Sequence, residues 1–137
     1  MEIKQRYSSI IWARPNFRWS ELRCKGCDGT CSFSAKGQPI AHIANAALDK
    51  LQDLRLRIRK PVTVLSAARC PLHNARVGGA PFSQHRSTDV RASTAFDVIA
   101  DTPLKAIVEA AEDVGFGGIG TYSTFIHIDD RGTIARW

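Results

Sequence analysis

A carboxylate interrupts the most strand-like apolar segment of this chain, Ala95-Phe96-Asp97-Val98-Ile99, and that constrains any fold the chain can adopt. The other four side chains belong in a core. An ionised carboxylate among them is costly unless it is paired or bound to a cation. The fold must therefore bring a donor or a cation to Asp97. With 137 residues it does so within one domain and around one core.

The surrounding pattern supplies the rest of that domain. Ile40, Ile43, Ala44, Ala47, Leu48, Leu51, Leu54 and Ile58 recur at three- and four-residue steps and predict a helix from about Pro39 to Arg59. Arg55, Arg57, Arg59 and Lys60 crowd its end, where positive charge suits the helix dipole, and Pro61 stops it. Val62 to Ser66 reads as a strand. Thr102 as cap and Pro103 at the first position open a second helix, with Leu104, Ile107, Val108, Ala111 and Val114 on its apolar face and Gly115 at its end. Ile119 to Tyr122, Phe125 to Asp129 and Thr133 to Trp137 read as antiparallel strands, the last two joined by a turn at Asp130-Arg131-Gly132. Helices and strands mix without regular βαβ alternation. The class is α+β, a small antiparallel sheet with flanking helices. Residues 1–37 form an N-terminal extension with a Cys-rich loop, and 38–137 the core of a single domain.

Composition excludes some functions. No apolar run approaches the ~18 residues of a membrane span. The start, Met1-Glu2-Ile3-Lys4-Gln5-Arg6, lacks the apolar region of a secretion signal, so synthesis in the cytoplasm is expected. The net charge of +6 favours polyanionic surroundings, whether nucleic acid, anionic lipid or an acidic cell wall. Trp12, Phe17 and Trp19 interleave with Arg14 and Arg18, a pattern that serves packing more often than nucleic-acid binding. Cys24, Cys27 and Cys31 have the close spacing of metal sites, with Cys70 as a distant fourth sulfur. A structural metal, two disulfides and four thiols all stay open.

The histidines separate into two pairs. His42 falls inside the predicted first helix and reads as a surface or half-buried side chain. His73 falls in a predicted loop. His127, in Phe125-Ile126-His127-Ile128-Asp129, shares a strand face with Asp129 while Ile126 and Ile128 take the other. Strand-borne Asp97, strand-borne His127 and loop-borne His85 make a plausible ligand set for zinc with one corner left for water.

Five segments in order carry a resemblance: Ser66-Ala67-Ala68-Arg69-Cys70-Pro71-Leu72-His73-Asn74, Val77-Gly78-Gly79-Ala80-Pro81, Ser83-Gln84-His85, Thr94-Ala95-Phe96-Asp97-Val98 and Phe125-Ile126-His127-Ile128-Asp129. The chain resembles the zinc D-Ala-D-Ala carboxypeptidase family of peptidoglycan peptidases, in its short phage and prophage versions, which shares its metal core with VanY-type and endolysin enzymes and with the hedgehog-type fold. The resemblance spans about Phe17 to Trp137. It implies one catalytic Zn2+ on His85, Asp97 and His127, with Arg69 polarising or binding substrate and Ser83 supporting the first ligand. It implies a peptidoglycan stem peptide as substrate, and action on the cell wall or in the periplasm, either after release or as part of a virion beside other virion proteins. Short relatives also carry Cys near both cysteine positions, which would bring Cys70 to the N-terminal loop and allow a second, structural Zn2+.

Two positions depart from the family pattern. Asp97 follows His85 by twelve residues where seven is usual, and Asp89 in the extra segment is a rival ligand. Relatives often carry an acid three residues before the last His as general base; here it is Thr124. Asp129 is then either the base or an orienting partner. Two other functions remain open: a zinc-containing virion or wall-binding module without catalysis, favoured by Thr124, and a basic nucleic-acid-binding protein built on the Cys cluster and the Arg-rich start.

Overall fold

The computed structural model describes residues 11–25, 43–80, 82–88 and 91–137. His42, Cys27, Cys31 and Asp89 lie outside them. A short hairpin, β1 (Trp12–Arg14) and β2 (Phe17–Arg18), leads into α1 (Trp19–Leu22). The main body contains α2 (Asn45–Ile58), β3 (Val62–Ser66), α3 (Pro71–Arg76), β4 (Ala95–Ala100), α4 (Leu104–Val114), β5 (Gly118–Thr121), β6 (Ile126–Asp129) and β7 (Ala135–Arg136). Strands β3 to β7 form one sheet in the order β3-β4-β6-β5-β7. The class is α+β, as the pattern of periods predicts.

Strand alternation gives this sheet two unlike faces. Phe96 and Val98 of β4, Ile126 and Ile128 of β6 and Ile119 of β5 enter a core with Ala47, Leu48, Leu51 and Leu54 of α2 and Ile107, Ala110 and Ala111 of α4. The intervening residues, Asp97, His127, Asp129, Gly118 and Gly120, belong to the opposite face. Lys50 of α2 clips the layers together, its ammonium 2.5 Å from the Asp130 carboxylate and 3.1 Å from the Gly115 carbonyl. In the N-terminal segment Phe17 is fully buried, Trp19 packs on the core and the Arg18 guanidinium lies 4.8 Å from the Trp12 ring centre. The aromatic residues of that segment are thus used for packing.

Four elements differ from the sequence expectation. Helix α2 starts at Asn45 rather than Pro39: Ile43 bridges Ser93, and the Ala44 amide donates to the Ser93 carbonyl, which holds this backbone extended. His73 lies in α3 rather than in a loop, because Pro71 occupies the first turn and the Cys70 sulfur accepts the His73 amide as a cap. Helix α4 is capped by Pro103, one residue later than expected, since the Thr102 amide closes a turn onto Ala100. Strand β7 runs parallel to β5 instead of antiparallel to β6. Both edges of β6 are already taken by β4 and β5, so the last strand crosses to the outer edge of β5, where its direction becomes parallel.

Phe96 anchors the apolar face, edge-on to Phe116 at 6.4 Å between centroids. Phe96→Ala should cost about 3–5 kcal/mol, read as a lower denaturation midpoint at unchanged slope. A loss below 1 kcal/mol would contradict this placement of the core.

Candidate metal centre

The register of three strands assembles the site. Asp97 pairs directly with His127, and His127 with Gly120; one step along, Ala95 pairs with Asp129, and Asp129 with Gly118. Directly opposed residues in a sheet share a face, so the Asp97 carboxylate and the His127 imidazole meet across β4 and β6. His85 arrives on a loop fixed by backbone bonds, Arg69 N–H to the His85 carbonyl and Ser87 N–H to the Arg69 carbonyl, each 2.7 Å. The Ser83 hydroxyl accepts the His85 amide at 3.2 Å, supporting the backbone of that residue rather than its ring.

Asp97 Oδ1 is 3.0 Å from His85 Nε2 and 3.0 Å from His127 Nδ1, and the three donor atoms lie within 4.8 Å of one another. Zinc–ligand bonds of about 2.0–2.2 Å at tetrahedral angles put donor atoms roughly 3.3–3.6 Å apart. The spacing therefore fits one small cation.

Hydrogen-bond polarity points the same way. His85 Nδ1 is 2.8 Å from the Ala67 carbonyl, which can only accept, so Nδ1 carries the hydrogen and a neutral ring turns its Nε2 lone pair to Asp97. His127 Nε2 is 2.7 Å from Asp129 Oδ2. Burial pushes the Asp129 carboxyl up, but hydrogen bonds from His127 and Arg131 outweigh it and hold the group well below the usual carboxylate range. As an ionised acceptor, Asp129 takes the Nε2 hydrogen and leaves the Nδ1 lone pair facing Asp97. Two lone pairs against one carboxylate oxygen are favourable only with a cation among them, a proton or a metal. Burial likewise opposes ionisation of Asp97; in the metal-free protein, a proton between this carboxylate and the histidine nitrogens supplies the hydrogen bonds and charge that overcome it. In the metal-free protein burial lowers the His127 pKa, yet its bonds to Asp129 and Asp97 raise it on balance.

Behind the ligands stands a second layer of contacts. Asp129 has no solvent exposure; Arg131 grips it with Nε on Oδ1 and a terminal nitrogen on Oδ2, both 2.8 Å. A Cβ at Gly118 would run into this carboxylate. Ala67, Arg131 and Gly118 were not singled out from the sequence. The one cue was the position of Arg131, two residues beyond Asp129, which reads simply as part of a turn.

The ligand atoms open onto a cleft of about 400 Å³ lined by Arg69, His85, Asp97, His127, Tyr122 and Trp137, among others. Arg69 donates from Nε to Ser66 Oγ at 3.1 Å and brings a terminal nitrogen to 3.5 Å from Asp97 Oδ2. Asp97 is the one carboxylate among the described lining residues; Asp129 is not among them, and Thr124 is exposed outside them. Buried Cys70 donates its amide to the sulfur of buried Cys24 at 3.5 Å, so the N-terminal segment does reach the loop that carries Arg69.

Comparison with known proteins decides the family. The model of the family described as Peptidase M15 matches residues 15–129. The chain belongs to the Peptidase M15 family. No curated protein matches it. Membership makes the protein a zinc peptidase of the D-Ala-D-Ala carboxypeptidase family, whose members act on peptidoglycan, and the match runs from the N-terminal hairpin to Asp129, spanning His85, Asp97 and His127.

Zinc should raise the melting temperature of the metal-free protein, and a chelator should reverse the rise. His85→Ala or His127→Ala should abolish that response; stoichiometric zinc at this site in both variants would refute the ligand set. Asp129→Asn should keep the fold but weaken zinc binding about 10–100-fold in a competition titration, and Gly118→Ala should act in the same direction. Equal affinity in both would mean that Asp129 does not orient His127.

Proposed function

We propose that this protein hydrolyses an amide bond involving a D-amino acid in peptidoglycan stem peptides, as a carboxypeptidase or endopeptidase encoded by a phage or prophage and acting on the cell wall or in the periplasm. The observation that carries this reading is the convergence of His85 Nε2, Asp97 Oδ1 and His127 Nδ1 in a cleft walled by Arg69. Its surface suits the target, since a net charge of +6 draws the protein to an anionic wall.

His85, Asp97 and His127 would hold a zinc ion, which would supply Lewis acidity to polarise the scissile carbonyl and lower the pKa of water toward about 7. The chain supplies the rest. Ala67 and Asp129 fix the tautomer and plane of the two imidazoles, so no reorganisation of ligands accompanies the reaction. Arg69, half-buried and held by Ser66, presents a planar cation to the carbonyl oxygen on which charge develops, or to a substrate carboxylate. Asp129 acts by orienting His127: both its oxygens are engaged and it has no exposure, which leaves it no path to a water in the cleft.

The same fact favours a second function. With Asp97 the one carboxylate on the described cleft wall and Thr124 in the place of the usual acid, a wall-binding or virion module that retains zinc without turnover is the alternative. Digestion of purified peptidoglycan separates the two. The peptidase predicts peptide fragments, identified by mass, that vanish with chelator and return with zinc. Arg69→Ala should cut kcat about 10²–10³-fold. Co-sedimentation with peptidoglycan and no fragments under any metal condition would establish the module instead.

The Cys70 amide on the Cys24 sulfur supports a cross-tie between the N-terminal segment and the Arg69 loop, completed by Cys27 and Cys31 as a second, structural zinc or as disulfides. Metal counting distinguishes these. A structural zinc gives two ions per chain, one of them surviving His85→Ala, and disulfides give one.

A further inference from the structure

The wall of the cleft on the β5 side is aromatic. Facing the site, β5 and the residue after it present Gly118, Gly120 and Tyr122 in turn, against Asp129, His127 and Phe125 on the β6 side. Gly118 leaves the space that the Asp129 carboxylate fills, and Gly120 the space that the Trp137 indole fills. Tyr122 is thus the first side chain of that row, one residue pair from His127 and roughly 6.6–6.8 Å along the strand. Its ring lies flat on Phe125, with centroids 4.6 Å apart and planes 7° from parallel.

Trp137 connects this ring to the metal site. Parallel pairing of β7 fixes its backbone, through Thr121 N–H to the Trp137 carbonyl at 2.7 Å and Trp137 N–H to the Ile119 carbonyl at 3.1 Å. Its indole packs 5.2 Å from the His127 ring, lies under the Arg131 guanidinium at 5.0 Å, and donates Nε1–H to the Tyr122 hydroxyl at 2.9 Å. An indole nitrogen can only donate. The Tyr122 oxygen therefore accepts from Trp137, and its own O–H is directed elsewhere, on a half-exposed ring that lines the cleft.

We propose that Tyr122 is a catalytic residue, its hydroxyl oriented by Trp137 to donate a hydrogen bond to the substrate carbonyl oxygen as negative charge builds on it. The sheet order sets the geometry: Arg69 follows β3, Tyr122 follows β5, and the ligands on β4 and β6 lie between them. The carbonyl is then held from two flanks, by a cation on one and a neutral donor on the other. A neutral donor suits this site, because it adds no charge that would compete with the cation held by Asp97. The proposal rests on the peptidase function above and names a further residue for it.

The test uses the zinc-loaded protein with two readouts: hydrolysis of purified peptidoglycan, and calorimetric binding of a phosphinate dipeptide containing D-alanine, whose tetrahedral phosphorus mimics the attacked carbon. Tyr122→Phe removes one oxygen and keeps the ring stack. It should lower kcat about 10²-fold and phosphinate affinity by a similar factor, with KM, zinc affinity and melting temperature unchanged. Trp137→Phe removes the orienting N–H and should lose about tenfold in kcat. In the Tyr122→Phe background Trp137→Phe should add nothing, since the two act through one hydroxyl. If Tyr122→Phe matches the parent in both readouts, or loses zinc affinity in proportion to turnover, the proposal fails while the peptidase function stands. If the parent protein neither cuts peptidoglycan nor binds the phosphinate, the peptidase function fails and the role of Tyr122 with it.

Discussion

The antiparallel register of β4 with β6 is the constraint on which the site depends. It sets Asp97 directly across from His127, and a slip of one residue would turn one strand over against the other, driving either Asp97 or His127 into the core face and that strand's apolar side chains out. The apolar alternation that builds the core therefore also builds the candidate metal site. Folding energy and function are not separable along these two strands: the pressure to bury Phe96, Ile126 and Ile128 is what forces the carboxylate and the imidazole together.

Around that pair the structure spends its polar groups on orientation. The Ala67 carbonyl and the Asp129 carboxylate take the outer hydrogens of the two histidines, and Arg131 holds Asp129 by a two-pronged grip. Glycines make this possible by omission. Gly118 and Gly120 leave the room that Asp129 and Trp137 fill, so the site-facing side of β5 gives up side chains to let two others approach His85, Asp97 and His127. The crossing of β7 to the far edge of β5 completes the enclosure by delivering Trp137 over the His127 ring.

Much of the fold was legible beforehand because it is written in local periods. The stripe from Ala47 to Ile58, the strands β3, β4 and β6, and the stop at Gly115 follow from spacing and capping chemistry alone. Element starts were less legible: the beginning of α2 depends on a bridge between Ile43 and Ser93, fifty residues apart in sequence, and no local signal encodes such a partner. Strand β7 was recognisable as a strand but not in its direction, since that depended on which edges of the sheet were already occupied.

The candidate site divides along the same line. The sequence by itself determined the chemistry: an acid embedded in an apolar strand, a histidine and an acid on one face of another, and motifs that marked His85, Asp97, His127 and Arg69 by type and order. Only the tertiary structure set the contacts among them. Asp129 became a buried partner of His127 rather than a group facing the cleft, the backbone of Ala67 became the support of His85, and Tyr122 and Trp137 entered the site. The physical reason is range: residue type and alternation act over two to four neighbours and fix which face a side chain takes. Which hydrogen meets which lone pair depends on strands and loops brought together from far along the chain.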